Sequence, residues 1–233
     1  MKSTVLRATA LALFLFLPFA ATAAEEAQAP APVAAPGLAK KWDLDLTKSS
    51  ITFKGTQMDT PGFDGVITKF YPVINFDADH LDQSKVTVEI DVTSIDAKDG
   101  ERNKTLQGSD WLDSPKFPTA RFETTGFTKT GDNAFTADAT LTIRDVTVPL
   151  KLPFTLTPAA AGIGPDRVLM MGQVTLDRSK FQLGQGDWAD ASVIGNDIAV
   201  QVQLTAWPAD AADAGSALDP KTPPVEPVTP ANP

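Results

Sequence analysis

The residue types that most often carry chemistry are scarce in this chain of 233 residues, which has no cysteine and a single histidine, His80. Without cysteine there is no disulfide, thiolate zinc site, iron–sulfur cluster or cysteine nucleophile. One imidazole excludes a multi-histidine metal centre and leaves a nucleophilic triad a single possible base. That imidazole sits in Asp77-Ala78-Asp79-His80-Leu81-Asp82, between two apolar segments, a setting for a surface turn rather than for a catalytic base. The spacing of Asp77, Asp79 and Asp82 lacks the central glycine and closing glutamate of a calcium loop, so no metal is assigned. Asp187 and Asp190 flank Trp188 and have the composition of a glycosidase pair, but one acidic pair in an acidic chain does not single out hydrolysis. Neither a phosphate-binding glycine loop nor a nucleophile elbow is present. No catalytic residue is assigned, and the chain is not expected to be an enzyme.

The charge points the same way. A formal charge of −9 and a pI near 4.6 argue against nucleic acid, whose counterions a basic face must displace. Lys2 and Arg7, the apolar run 11–17 and the small residues Ala21-Thr22-Ala23 predict a cleaved signal peptide over 1–23, hence export to a bacterial periplasm. The apolar run is shorter than the roughly 20 residues that span hydrocarbon. Cleavage would remove Lys2 and Arg7 and no acid, taking the charge from −9 to −11. Residues 24–40, rich in Ala and Pro, and residues 208–233, with seven prolines and no aromatic residue, carry too little apolar surface to offset the entropy of ordering. They are expected to be a linker and a disordered tail around one domain, 41–207.

Inside that domain the hydrophobic pattern has period two, the mark of strands with one buried face. Val86, Val88, Ile90 and Val92 alternate with polar residues, as do Ile198, Val200, Val202 and Leu204. Val146, Val148, Leu150, Leu152, Phe154 and Leu156 form an apolar row against Thr147, Pro149, Lys151, Pro153 and Thr155. Two prolines on one side of that strand predict that pairing on one flank is interrupted. Further strands are expected at 42–46, 50–54, 65–70, 73–76, 120–124, 135–143 and 168–176, and a short helix at 101–106. The class is all-β, antiparallel, with one small helical insertion; periodicity alone leaves sandwich and closed barrel both open.

Ordered pieces along the domain resemble the YceI-like family. They are the opening WDLDLTKSSITFKG; Thr93-Ser94-Ile95-Asp96; Arg102-Asn103-Lys104-Thr105-Leu106; Trp111-Leu112-Asp113-Ser114-Pro115-Lys116-Phe117-Pro118; Leu141-Thr142-Ile143-Arg144-Asp145-Val146; and Leu176-Asp177-Arg178-Ser179-Lys180-Phe181. The resemblance implies an extended lipocalin-like barrel of eight antiparallel strands. It also implies a periplasmic, non-enzymatic carrier of a long isoprenoid lipid, a polyprenyl chain or a quinone tail, with no required cofactor. Many relatives carry a histidine in the first strand region, where this chain has Lys48 and Gln57-Met58. The stretch Gly184-Gln185-Gly186-Asp187-Trp188-Ala189-Asp190 is similar to a subgroup associated with cytochrome b561-like membrane proteins. That association supplies the alternative reading, an interaction protein with a filled barrel that docks on a b-type cytochrome.

An eight-stranded barrel is wide enough for its own side chains or for one slender ligand. Burial of about 0.8 kcal/mol per methylene-sized group makes three or four isoprene units sufficient for micromolar binding. The expected apolar lining is Phe53, Phe70, Phe76, Trp111, Phe122, Leu141, Phe154, Met170, Phe181 and Trp188. Each of them is also an ordinary core residue. Of the adjacent Met170 and Met171, only one can face inward from a strand. Arg102, Arg121, Arg144 and Arg178 are the candidate headgroup cluster, against the alternative that each pairs locally. With a strongly negative protein around it, a neutral headgroup such as a quinone fits better than a diphosphate.

Overall fold

The computed structural model describes residues 39–58, 60–158 and 167–209, with the side chains of Thr60 and Pro61 excepted. The expected signal peptide lies wholly outside the described residues, as do most of the two flanking segments. Eleven strands run in chain order: β1 (Lys41–Leu44), β2 (Ser50–Gln57), β3 (Thr60–Ile67), β4 (Phe70–Asn75), β5 (Lys85–Asp91), β6 (Ile95–Asp96), β7 (Thr119–Lys129), β8 (Ala134–Ile143), β9 (Val146–Pro158), β10 (Val168–Asp177) and β11 (Asp197–Pro208). The helix α1 (Gly100–Gln107) falls between β6 and β7.

These eleven pieces make eight staves. The neighbour order β1-β4-β5-β7-β8-β9-β10-β11 closes on itself, because β1 pairs with β11. On the same flank, β11 also holds β2, which continues through β3 to β6. Thus β1 and β2, β3 and β4, and β5 and β6 are the halves of three interrupted staves in an up-and-down antiparallel barrel. Two of the interruptions are tied to each other: at the β3–β4 break, the Thr68 N–H donates to the Ser94 carbonyl (3.2 Å) and the Lys69 N–H to Ser94 Oγ (3.0 Å). Ser94 ends the 3-10 turn Val92–Ser94 that separates β5 from β6.

Both edges of the domain extend slightly beyond expectation. Lys40, assigned to the linker, accepts the Phe76 N–H on its carbonyl at 2.8 Å. Pro208, assigned to the tail, ends β11 opposite Trp42. The reason is that β1 finds its second neighbour in this last stretch of β11. The prolines of β9 face outward, opposite Thr140 and Thr136 of β8. Pairing with β8 is continuous, whereas the β10 ladder covers only Phe154 to Pro158. The interrupted flank expected from Pro149 and Pro153 is therefore the one toward β10.

Two apolar clusters fill the barrel at different heights. One contains Phe76, Phe135, Ala137, Leu152 and Phe154. The other contains Val92, Trp111, Leu112, Leu141, Phe181 and Leu183, with Leu106 of α1 packed against it. At this second end Arg178 is 3% exposed. Burial lowers its pKa, yet arginine stays protonated in proteins, so the charge must be solvated from within. All five of its N–H donors reach backbone carbonyls: Nε to Gly195 (3.1 Å), Nη1 to Leu183 (2.8 Å) and Gly184 (3.1 Å), and Nη2 to Trp188 (2.9 Å) and Ile194 (2.7 Å). Its guanidinium carbon lies 5.3 Å from the Trp111 ring centroid, adding a cation–π contact. Gly184 has φ +71, and a Cβ there would sit 2.2 Å from Arg178 Nη1. The glycine is thus required both by its left-handed conformation and by the guanidinium.

Among the described residues, four Asp-x-Ser/Thr units at strand ends and loops close the same pair of hydrogen bonds. Each carboxylate accepts the N–H and the hydroxyl two residues on: Asp45 with Thr47, Asp91 with Thr93, Asp177 with Ser179, and Asp190 with Ser192. The hydroxyl bond is the largest cause that holds Asp45, Asp177 and Asp190 below the ordinary carboxylate pKa.

Two measurements check this account. Arg178→Lys, which keeps the charge but offers three donors, and Gly184→Ala are each expected to lower the urea unfolding free energy by about 2–4 kcal/mol. A carboxylate whose folded pKa is depressed stabilises fully above its unfolded value and loses that contribution as pH falls through the folded one. The urea midpoint should therefore be flat from neutral pH to about 5 and fall below about 4. Replacing Asp45, Asp177 and Asp190 together by Asn should make that acid limb shallower.

Candidate functional site

A cavity of about 400 Å³ occupies the barrel at the level of the first cluster. Its wall follows from strand alternation. β9 presents Leu152, Phe154 and Leu156; β10 presents Val168 and Met170; β11 presents Leu204 and Ala206. Opposite them stand Trp42 of β1, Ile74 of β4, Val86 of β5, and Phe122, Thr124 and Phe127 of β7. Space exists because β8 contributes only the methyl of Ala137.

The aromatic side of the wall is rigidly packed. Phe76 meets Phe127, Phe135 and Phe154 edge-on at 5.2, 5.5 and 6.0 Å between centroids, and Phe135 stacks on Phe154 at 5.5 Å. Phe127 reaches the wall through a β-bulge. Thr125 is the extra residue between Thr124, opposite Ala139, and Gly126, opposite Asp138. The slip turns Phe127 inward opposite Ala137; without it Phe127 would share the outer face with Arg121 and Glu123.

Polar atoms within the wall are already engaged. Trp42 Nε1 donates to the Phe76 carbonyl at 2.9 Å. Thr124 Oγ1 accepts the Val86 N–H at 2.8 Å and donates to the Val86 carbonyl at 3.2 Å. Charge appears only at the mouth, as Lys40, Asp77 and Asp79, beside Asn133 and Thr157. Asp77 accepts the Asp79 N–H at 2.9 Å and lies 3.5 Å from His80 Nδ1. The Asp79 N–H first, and then His80, hold the Asp77 carboxyl below its ordinary pKa.

Of the ten expected lining residues, Phe76, Phe122, Phe154 and Met170 are on this wall. Met171, its neighbour, faces out at 39% exposure. The other six lie elsewhere. Trp111, Leu141 and Phe181 belong to the second cluster, and Trp188 packs on it with its ring 6.2 Å from that of Trp111. Phe53 meets Phe63 edge-on at 6.5 Å, and Phe70 is buried opposite Ile90. These six stand off the cavity wall for two reasons: Phe53, Phe70 and Leu141 are on strands, where period two reports the face a residue occupies and not its height along the barrel, whereas Trp111, Phe181 and Trp188 lie in turns between strands.

The arginines do not gather at this cavity either. Arg121 is on the outer surface, 3.2 Å from Glu89 and 3.4 Å from Glu123. Arg102 donates to the Ala97 carbonyl at 3.1 Å and lies over Phe63. Arg144 donates to the Trp111 carbonyl at 3.2 Å and lies over Phe117. Arg178 is held as described above. None borders the cavity, so the expected headgroup cluster is not assembled. Sequence reasoning missed Trp42, Phe127, Leu152, Leu156 and the rim cation Lys40. Leu152 and Leu156 were legible in the same apolar row as Phe154.

With this geometry in hand, the chain can be placed among known proteins. The model of the YceI-like domain matches residues 42–206. This protein belongs to the YceI-like family. A UPF0312 protein of Vibrio vulnificus is 29% identical over 188 residues, 78% of this chain and 89% of that relative. Burkholderia cenocepacia BcnA superposes with a TM-score of 0.64 at 28% identity, covering 70% of this chain and 99% of its own. A polyisoprenoid binding domain from Saccharophagus degradans shares the fold with a TM-score of 0.56 at 14% identity, covering 74% and 99%. The barrel observed here, eight antiparallel staves with one α-helix among the described residues, shares its fold with these YceI-like relatives.

Filling the cavity is expected to weaken uptake of an apolar ligand without unfolding the YceI-like domain. Ala137→Leu should weaken binding of a neutral apolar fluorophore such as N-phenyl-1-naphthylamine by at least about tenfold while leaving the thermal midpoint unchanged or higher. Fluorescence titration and a thermal melt read the two effects separately.

Proposed function

We propose that this protein is a non-enzymatic carrier or binding protein for an isoprenoid lipid, exported to the periplasm after removal of residues 1–23, with the hydrocarbon chain held in the barrel cavity. The observation that carries the reading is the wall itself: apolar side chains throughout, with its Trp42 and Thr124 polar atoms already bonded to backbone. Such a surface offers a ligand hydrocarbon contact and no hydrogen bond. The Saccharophagus neighbour described as a polyisoprenoid binding domain supports the choice of hydrocarbon. An isoprene unit contributes roughly 3–4 kcal/mol on burial, so about three units exceed the cost of association by enough for micromolar affinity.

The mouth favours a neutral headgroup, most simply a quinone. Asp77 and Asp79 border it with one cation, Lys40, and the arginines that would neutralise a diphosphate are committed elsewhere. A second reading, docking on a b-type cytochrome through the 184–190 loop, draws support from the Arg178 cage, which holds that loop by the Gly184 and Trp188 carbonyls while Gln185, Asp187 and Asp190 remain exposed.

Mass spectrometry of lipids extracted from protein purified without detergent is expected to reveal a prenylated species, and titration with a prenylquinone is expected to saturate. Absence of any apolar species together with no saturable binding would overturn the proposal. A prenyl diphosphate binding more tightly than the quinone of equal tail length would overturn the neutral headgroup.

A further inference from the structure

The cavity does not run the length of the barrel. Phe122 and Leu150 are the two side chains that pack against both apolar clusters, and they divide the empty half from the filled one. Below them Leu141, Trp111 and Phe181 close the interior as ordinary core. Gly172 lets the floor close tightly from the β10 side: Leu152 Cδ1 and Met170 Cε each come within 3.2 Å of where its Cβ would be. A chain entering at the Lys40–Asp77 mouth therefore meets a wall.

The depth can be expressed in carbons. A dry apolar cavity of about 150 Å³ accommodates one six-carbon ring. By that measure about 400 Å³ corresponds to roughly 15 carbons, or three isoprene units. We infer that the cavity is a length gauge, with Phe122 and Leu150 as its stop: it encloses about three isoprene units, and a longer prenyl chain leaves its remaining units outside the mouth. This rests on the reading that a prenyl chain occupies the cavity, and it adds the specificity of that site. Because hydrophobic affinity scales with the area removed from water, units outside the stop contribute almost nothing.

The test is a series of neutral prenyl alcohols of two, three, four and eight isoprene units, delivered from cyclodextrin and competed against a bound fluorophore. Affinity is expected to tighten by roughly tenfold or more from two to three units, and by less than about threefold from three to eight. Leu150→Ala and Phe122→Ala, which lower the floor, should restore a gain at the fourth unit. Gly172→Ala, whose methyl pushes Leu152 and Met170 into the cavity, should move the plateau to two units and serves where the larger truncations do not fold. A steady rise through eight units in the unaltered protein, or a plateau that stays at three units in a folded floor variant and in Gly172→Ala, would overturn the gauge. Lack of saturable binding at every length would instead overturn the reading beneath it, and the gauge with it.

Discussion

Among the described residues, Asp197–Pro208 is the strand that must satisfy three others at once. It pairs along one flank with ten residues of β10, and along the other with β2 in its first half and β1 in its second. Everything inside the barrel depends on that closure, because a sheet left open between β1 and β11 would expose the aromatic wall of the cavity along its length. The register brings Trp42 opposite Pro208 and Val202 opposite Ile51. The ring is therefore sealed by the two ends of the domain, contacts whose loop-closure entropy is nearly the largest the domain allows. The remaining neighbours are consecutive staves of a meander, joined by connections that range from the tight turn between β8 and β9 to the α1-bearing segment between β6 and β7. In such a topology the core cannot be complete until the last strand arrives.

Closure alone would give a filled barrel, and half of this one is filled. The difference between the halves is made by side-chain size on strands that otherwise continue unchanged. β8 carries Leu141 into the packed end and Ala137 into the open one; β10 carries Gly172 between them. An empty apolar volume lowers stability relative to a packed one, so a wall of this kind is retained against the tendency of any larger residue to stabilise the fold. The packed end offsets this with a charge whose hydrogen bonds all go to backbone carbonyls. The guanidinium of Arg178 draws five carbonyls of 183–195 toward one point, and Trp111 covers its face. One end of the barrel is thus fixed by oriented dipoles, leaving the other free to be hollow.

Much of this was legible in the residues. Alternation in Val86 to Val92, Val146 to Leu156 and Ile198 to Leu204 identified inner faces, and Pro149 with Pro153 located the flank where a ladder stops. Three things were not legible. Height along the barrel has no signature in period two, which is why Leu141 and Phe154 look equivalent in sequence and occupy different clusters. A bulge reverses parity without announcing itself, so Phe127 is an outer residue by counting and an inner one in fact. The arginines occur in motif-like surroundings, but their partners are mainly backbone carbonyls and rings supplied by tertiary structure, as with Arg144 on Trp111.

Among the described residues, the stretch of β9 from Val146 to Pro153 forms no ladder on its β10 side. An unpaired strand edge is a template for another chain. Two prolines and Lys151 stand along that same segment. Prolines cannot donate to an added strand, and a lysine resists burial under one. The consequence concerns other molecules rather than this one: the seam that relaxes the barrel wall is also the place where self-association by strand exchange would begin, and its residues are those that refuse it.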